Sequence, residues 1–498
     1  MTGAVAQVRA LAWLRWQMVR SPGARLALCA APLLLIWFVQ IVVASAATLT
    51  QPALVAATEL APAAFLGFAV LAVIAPLTAG GGIEIVPSSQ LVAYPVRPRT
   101  WFLGGLLLAP ANLVWVVQLL VLAAETSYLT IEGNRLAGGL TTCAYVVCLT
   151  IVGQAIAWGV VGLRQTRSGR RLVGTLLVAA LVVIAVIVRG GFGHDALDAS
   201  PTHSVVTAIE AGPGVRWLIT TFGLVAASVI GLVLGAQACG WATSRPSDAT
   251  TTGTSVAVRR RAARRSAYAE LVAVDRASVW RASALRRGGL VLAVLPGVAA
   301  IGAAVPWQSL VVLPGLVSAG AGLLFGINAF SLDGSGAVWL ASLPHDPRLL
   351  ARAKLRVLVE TVAASIVVVL VAGSLRSPGT PTPAQLTAIF ASAFACGAVV
   401  VATCMALSVR QPHRADLNGP RDAVAPPGAL TLASARLALP AGLIGFAIEG
   451  SSHADMWWVP LAAAAPIVAL ALLSLQRSLA RYADPRVRAR IVQTVSAG

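Results

Sequence analysis

Apolar runs of about 20 residues follow one another along the chain, separated by short polar stretches rich in arginine. Such a run is long enough to cross the ~30 Å hydrocarbon layer as a helix. A helix also satisfies its own backbone polar groups there. The pattern predicts 12 spans: 26–48, 60–79, 101–124, 138–163, 172–188, 217–241, 289–304, 309–330, 355–375, 384–408, 437–450 and 457–475. The seventh and eleventh are short. Composition points the same way. Hydrophobic residues make up 58% of the chain, charged residues 11%, and the mean hydropathy is +0.83, whereas a soluble domain carries about 25% charge. The expected fold class is all-α, a polytopic membrane protein. "ASA" at 44–46 resembles a signal-peptide cleavage site. The apolar run is long for a signal peptide and begins late, so it is expected to remain as the first span.

The chain holds 37 basic and 18 acidic residues, a formal charge of +19. With the N-terminus inside, 33 of the 37 fall on the inner side of the predicted spans; Arg135, Arg189, Arg216 and Arg376 fall outside. Such an excess marks the cytoplasmic side. Both termini are therefore expected in the cytoplasm, and the membrane is expected to be the cytoplasmic (inner) one. The charge is then a topology signal, and no nucleic acid is expected as a partner.

Residues 244–266, "SRPSDATTTGTSVAVRRRAARRS", are too polar to insert. They read as a cytoplasmic linker lying on the anionic lipid surface. The linker separates two units of six spans, 1–243 and 267–498. A segment too charged to insert opens each unit: "VRALAWLRWQMVR" (8–20) and "ELVAVDRASVWRASALRR" (270–287). Leu11, Leu14 and Met18 share one helical face, and Trp16 and Trp280 each stand ten residues before an apolar run. Both segments suit helices lying in the membrane interface.

The two units repeat at an offset of 249 residues. Glu84 aligns with Asp333, Leu91 with Leu340, Pro95 with Pro344, Pro98 with Pro347 and Arg99 with Arg348. Each set lies on the inner side, between the second and third spans of its unit. Both halves start inside, so the repeat is parallel. The proline-free stretches 88–94 and 336–343 are expected to form short helices. The acid suits a helix start, and the first proline ends the helix.

An acid, about ten residues, Pro-x-x-Pro and then a lysine resembles the permeases of type-2 ABC exporters. In the second half the pattern falls on Asp333, Pro344, Pro347 and Lys354. In the first it falls on Glu84, Pro95 and Pro98, with Gly105 where the lysine would stand. The Gly-Thr often found after the acid is replaced by "EIVPSS" and "DGSGAV". The resemblance implies two parallel six-helix repeats, each opened by an interfacial elbow helix. It implies a coupling helix in each repeated loop, seated in a groove of a cytosolic ABC ATPase. Tyr94, Arg97, His345 and Asp346 join the aligned residues as expected contacts. Two loops imply two ATPase copies, and Arg97 against His345 makes their contacts unequal. A Walker A motif needs Gly-Lys-Ser/Thr, and the sole lysine, Lys354, lies between Ala353 and Leu355. This chain therefore has no P-loop and is expected not to be an enzyme. ATP and Mg would sit on the partner.

Inside the spans, amides such as Asn112, Gln118 and Asn328 read as interhelical hydrogen-bonding groups or as pathway groups. Glu360 is ionisable, and that favours a pathway role unless it only reaches the interface. With so few charges in the spans, the expected substrate is apolar or amphipathic, and lipids are the surrounding partner. The six cysteines show no metal spacing and read as small core residues. Two other functions fit a polytopic chain. A major-facilitator transporter also has twelve spans, but neither loop carries Gly-x-x-x-Asp-Arg-x-Gly-Arg-Arg. A membrane-embedded transferase needs catalytic acids, and the largest outer loop offers only Asp195, Asp198 and Glu210 without a motif.

Overall fold

The computed structural model describes residues 6–10, 61–62, 64–73, 97–109, 113–130, 133–189, 200–244, 266–282, 305–344, 346–413, 427–454 and 456–496, with a few isolated positions. Among them every regular element is helical. Seven helices are long and apolar enough to cross a membrane: Arg135–Arg164, Val215–Thr243, Trp307–Asp333, Pro347–Ser374, Pro383–Arg410, Leu432–Ser451 and Val459–Tyr482. These cover the fourth, sixth and eighth to twelfth predicted spans and make the chain a multi-pass membrane protein. The first and seventh predicted spans lie almost wholly outside the described residues; of the second, Ala64–Val73 is described as helix.

Contacts divide the chain into two compact units, residues 1–178 with 192–250, and residues 251–498 with 179–191. The first unit holds α1 (Ala64–Val73), α2 (Pro98–Leu108), α3 (Leu113–Leu129), α4 (Arg135–Arg164), the first half of α5 (Arg167–Arg189, whose residues from Ala179 on fall in the second unit), α6 (Pro201–Ala211) and α7 (Val215–Thr243). Of the expected third span, 101–124, the described residues are helical in α2 and again from Leu113 in α3, while 110–112 lie outside the described residues. Between the fifth and sixth predicted spans, residues 201–211 form a helix, α6, with Ser200 capping its N-terminus and accepting from the His203 N–H at 3.3 Å.

Helix α7 shows how this unit is held. Its buried residues are Gly231, Gly235, Cys239 and Ala242, all small and spaced four or three apart. Ile219, Phe222, Val229 and Leu234 are exposed. In lipid a large apolar side chain gains nothing by leaving the tails, so helices associate through small residues that let backbones approach. At Gly235 an added Cβ would enter the ring of Phe102 on α2. The Cys239 thiol donates to the Pro98 carbonyl at 3.2 Å.

The second unit comprises α8 (Ala267–Arg281), α9 (Trp307–Asp333), α10 (Gly336–Ser342), α11 (Pro347–Ser374), α12 (Pro383–Arg410), α13 (Pro427–Ser451), α14 (Val459–Tyr482) and α15 (Pro485–Ser496). Helix α12 is central and packs against α9, α11, α13 and α14. Its start is fixed by a capping box. The Thr382 hydroxyl accepts from the Gln385 N–H, and the Gln385 side chain accepts from the Thr382 N–H. Its inner face is small: Ala388, Ala391, Ser392, Ala395, Cys396. At Gly315 on α9 an added Cβ would stand 2.5 Å from the Ala441 carbonyl oxygen of α13, so these two backbones touch.

Helix α9 is not regular to its end. A π turn runs over Gly322–Gly326, and a 3-10 turn over Ser331–Asp333 closes the element. Backbone groups at this break find a partner on α12, and the Asn328 side chain ties the segment to the backbone just beyond α12. The Ser408 hydroxyl donates to the Gly326 carbonyl at 2.9 Å and accepts from the Ala329 N–H at 3.0 Å. The Asn328 amide donates to the His413 carbonyl, and its oxygen accepts from the His413 N–H at 3.4 Å. The π turn is tolerated because Gly322 and Gly326 lie directly against Val400 and Cys404.

Candidate functional site

The loop joining α9 to α11 contains the second copy of the repeated motif. After Asp333 the chain turns through Gly334, which holds a positive φ of 48° that suits glycine. Helix α10 follows. Leu343, standing before Pro344, is extended, and the helix ends at Ser342. That is the stop expected from the residue preceding a proline. Asp346 then caps α11, its carboxylate accepting from the Arg348 N–H at 2.9 Å, with Pro347 as the first helical residue. A seven-residue helix is thus bounded by a tight turn on one side and a capped helix start on the other.

Two ion clusters hold the base of this loop. The ammonium of Lys354, about two turns past the start of α11, donates to Asp333 at 2.6 Å and to Asp275 of α8 at 2.5 Å. The side-chain exposures are 1% for Lys354, 8% for Asp275 and 9% for Asp333. The cluster is sealed, so its members are held by each other rather than by water. Next along α8, Arg276 donates through Nε and Nη2 to both oxygens of Glu360, at 2.7 and 2.6 Å. Arg356 also donates to Glu360, at 2.7 Å. Between the clusters Val272 and Val279 of α8 pack on Ala353 and Val357 of α11. Burial pushes the Asp275 carboxyl up from its usual range. The Lys354 charge and hydrogen bond oppose this, and the Asp333 carboxylate adds to it. Two acids around one ammonium make a joint that is electrostatically tight but short of one positive charge.

The expected site residues therefore divide into two kinds. Pro344, Asp346 and Arg348 are exposed, as are Arg97, Pro98 and Arg99 in the first unit. Val338 and Trp339 on α10 are exposed as well, at 55% and 63%. Leu340, Asp333 and Lys354 face inward. Asp333 was expected to open the coupling helix. Instead its carboxylate is directed to Lys354, while the N-cap of α10 is Ser335 without a side-chain bond. A buried ammonium within reach is a stronger partner than the end of a seven-residue helix. Glu84, Leu91, Tyr94, Pro95, Asn112 and His345 lie outside the described residues.

The first unit has a neutral counterpart. The Gln7 side-chain oxygen accepts from the Thr100 hydroxyl at 2.7 Å and from the Arg97 N–H at 3.4 Å. Thr100 is fully buried. In each unit, then, an early segment is tied to the start of a later helix: Gln7 to the start of α2, and α8 to the start of α11. One tie is an amide and the other a charge triad.

The pathway candidates fare differently. Glu360 has both oxygens engaged by arginines, and Asn328 is spent on the His413 backbone. Gln118 is half-buried, with its amide nitrogen sealed and without a hydrogen-bond partner. Sequence reasoning missed Asp275 and Ser408. Asp275 had one signal: it is an acid in a basic interfacial segment, in the same unit as the only lysine. Ser408 had none. Among the described residues no group of three or more His, Cys, Asp or Glu side chains is placed to hold a metal ion.

No protein-family model, no curated protein and no solved structure matches this chain.

Proposed function

We propose that the chain is the transmembrane permease of an ATP-driven exporter, built from two fused six-span halves and powered by a separate cytosolic ABC ATPase. Both termini lie in the cytoplasm, and the repeated loops receive the ATPase, one copy each. The observation that carries this reading is the clasped loop. Helix α10 presents Val338 and Trp339 outward, while the Asp333–Lys354 pair holds the two ends of the loop together. A rigid apolar knob on a loop between spans transmits a push. A floppy loop would absorb it. Helix α8 is the elbow helix of the second half, lying at the lipid surface with Trp280, 66% exposed, at headgroup depth. The push on α10 therefore reaches α9, α11 and α8 together, because the Lys354 ammonium joins all three. The substrate is apolar or amphipathic.

The test is purification of the tagged full-length chain from its own cells in mild detergent. An ABC ATPase should be retained, and Trp339→Ala should release it. If no ATPase is retained and transport survives ATP depletion, the exporter reading is wrong.

A further inference from the structure

Helix α15 lies against α10 and against the Ser331–Asp333 turn. It carries Arg486, Arg488 and Arg490 within five residues, and its buried side chains are Ile491 and Val495. A basic amphipathic helix commonly lies on anionic lipid, with its apolar face in the headgroup layer. Here that face is already used. Ile491 and Val495 share one apolar cluster with Ala337 of α10, Phe330 and Tyr482, and Phe330 stacks on the Tyr482 ring at 4.8 Å.

The arginines have separate tasks. Arg490 Nη2 donates to the carbonyls of Val409 and Arg410, at 3.1 and 3.3 Å, and so closes the end of α12. Arg486 is exposed and Arg488 half-buried. Helices α10 and α15 thus sit side by side on one core. Each turns its small or aliphatic face inward, and the outer faces carry Val338 and Trp339 on one and arginines on the other. Exposed tryptophan with neighbouring arginine is the composition of a protein-binding hot spot.

We propose that α15 is the second half of the docking face, and that α10 and α15 together bind a cytosolic protein offering an apolar pocket for Trp339 and carboxylates for Arg486 and Arg488. The inference rests on the exporter reading and names that partner as the ATPase. It also adds a route for the stroke: through Arg490, pressure on α15 reaches the end of α12.

The test uses the ATPase retained by the intact chain, purified and returned to the full-length permease in detergent. Its affinity should fall as salt rises, and Arg486→Glu with Arg488→Glu should weaken binding about 10-fold or more and flatten the salt dependence. Milder Arg486→Gln with Arg488→Gln should show the same direction, which separates lost contacts from misfolding. An ATPase that binds with salt-independent affinity, unchanged in both double variants, overturns the α15 proposal and leaves the exporter reading standing. Loss of binding to vesicles of anionic phospholipid, with ATPase affinity unchanged, assigns α15 to the membrane and also overturns it. If no ATPase is retained and transport survives ATP depletion, both fall.

Discussion

Replacing Lys354 by Met removes the one cation from a sealed group of two carboxylates. Methionine matches the stem in length and apolar character, so the packing around it is little changed. The charge balance is changed entirely. Asp275 and Asp333, each less than a tenth exposed, have Lys354 Nζ as their common partner. Both must then find water or take up a proton. Either course carries a cost, because a buried carboxylate without a cation beside it is disfavoured. Breaking buried pairs costs about 3–5 kcal/mol by experience elsewhere. The expected loss is in that range, at least about a hundredfold in the open population. Folded fraction in mixed micelles of mild and denaturing detergent reads the global effect. Hydrogen exchange of Ala267–Arg281 reads the local one, and α8 should lose protection before α12. A triple variant with Asp275→Asn and Asp333→Asn added should recover to within about 1–2 kcal/mol of the native chain, because an uncharged buried group is no longer stranded. If Lys354→Met is as stable as the native chain, or if the triple variant is as weak as the single, the cluster does not clasp the loop.

Three further outcomes are expected. Glu360→Gln should cost less than about 1 kcal/mol in the same micelle titration, because its partners Arg276 and Arg356 are half or more exposed and water screens the pairs. Gly315→Ala should cost about 1–3 kcal/mol with no rescue by neighbouring side-chain substitutions, since the added Cβ meets the Ala441 carbonyl oxygen of α13. Burial holds His413 below the usual imidazole range. A base with a depressed folded pKa contributes stability that is whole above about 6.5 and lost as pH falls through the lower folded value. Exchange protection at Asn328–Ser331, corrected for intrinsic rates, should therefore fall as pH drops below about 6.5, and His413→Gln should flatten that fall.

What the sequence determined by itself was everything that depends on hydropathy and local backbone chemistry. Apolar run length located seven observed spans, because crossing the hydrocarbon layer is a matter of length and composition. Pro344, Pro347 and Asp346 set the end of α10 and the start of α11, because a proline restricts its predecessor and an Asp caps a helix from the adjacent residue. Tertiary structure decided the partners. Lys354 was read as a contact for another chain, yet folding directs it inward, because Asp275 arrives from 79 residues away and Asp333 from 21. No local pattern encodes that meeting. Glu360 looked like a costly charge in a span until α8 brought Arg276 to it. Likewise, Gly322 and Gly326 announce a close approach but not that Ser408 would mend the broken helix beside them. Hydrogen bonds and ion pairs act within about 3 Å, so their partners are fixed only when distant segments are packed, whereas burial in lipid acts on each segment alone.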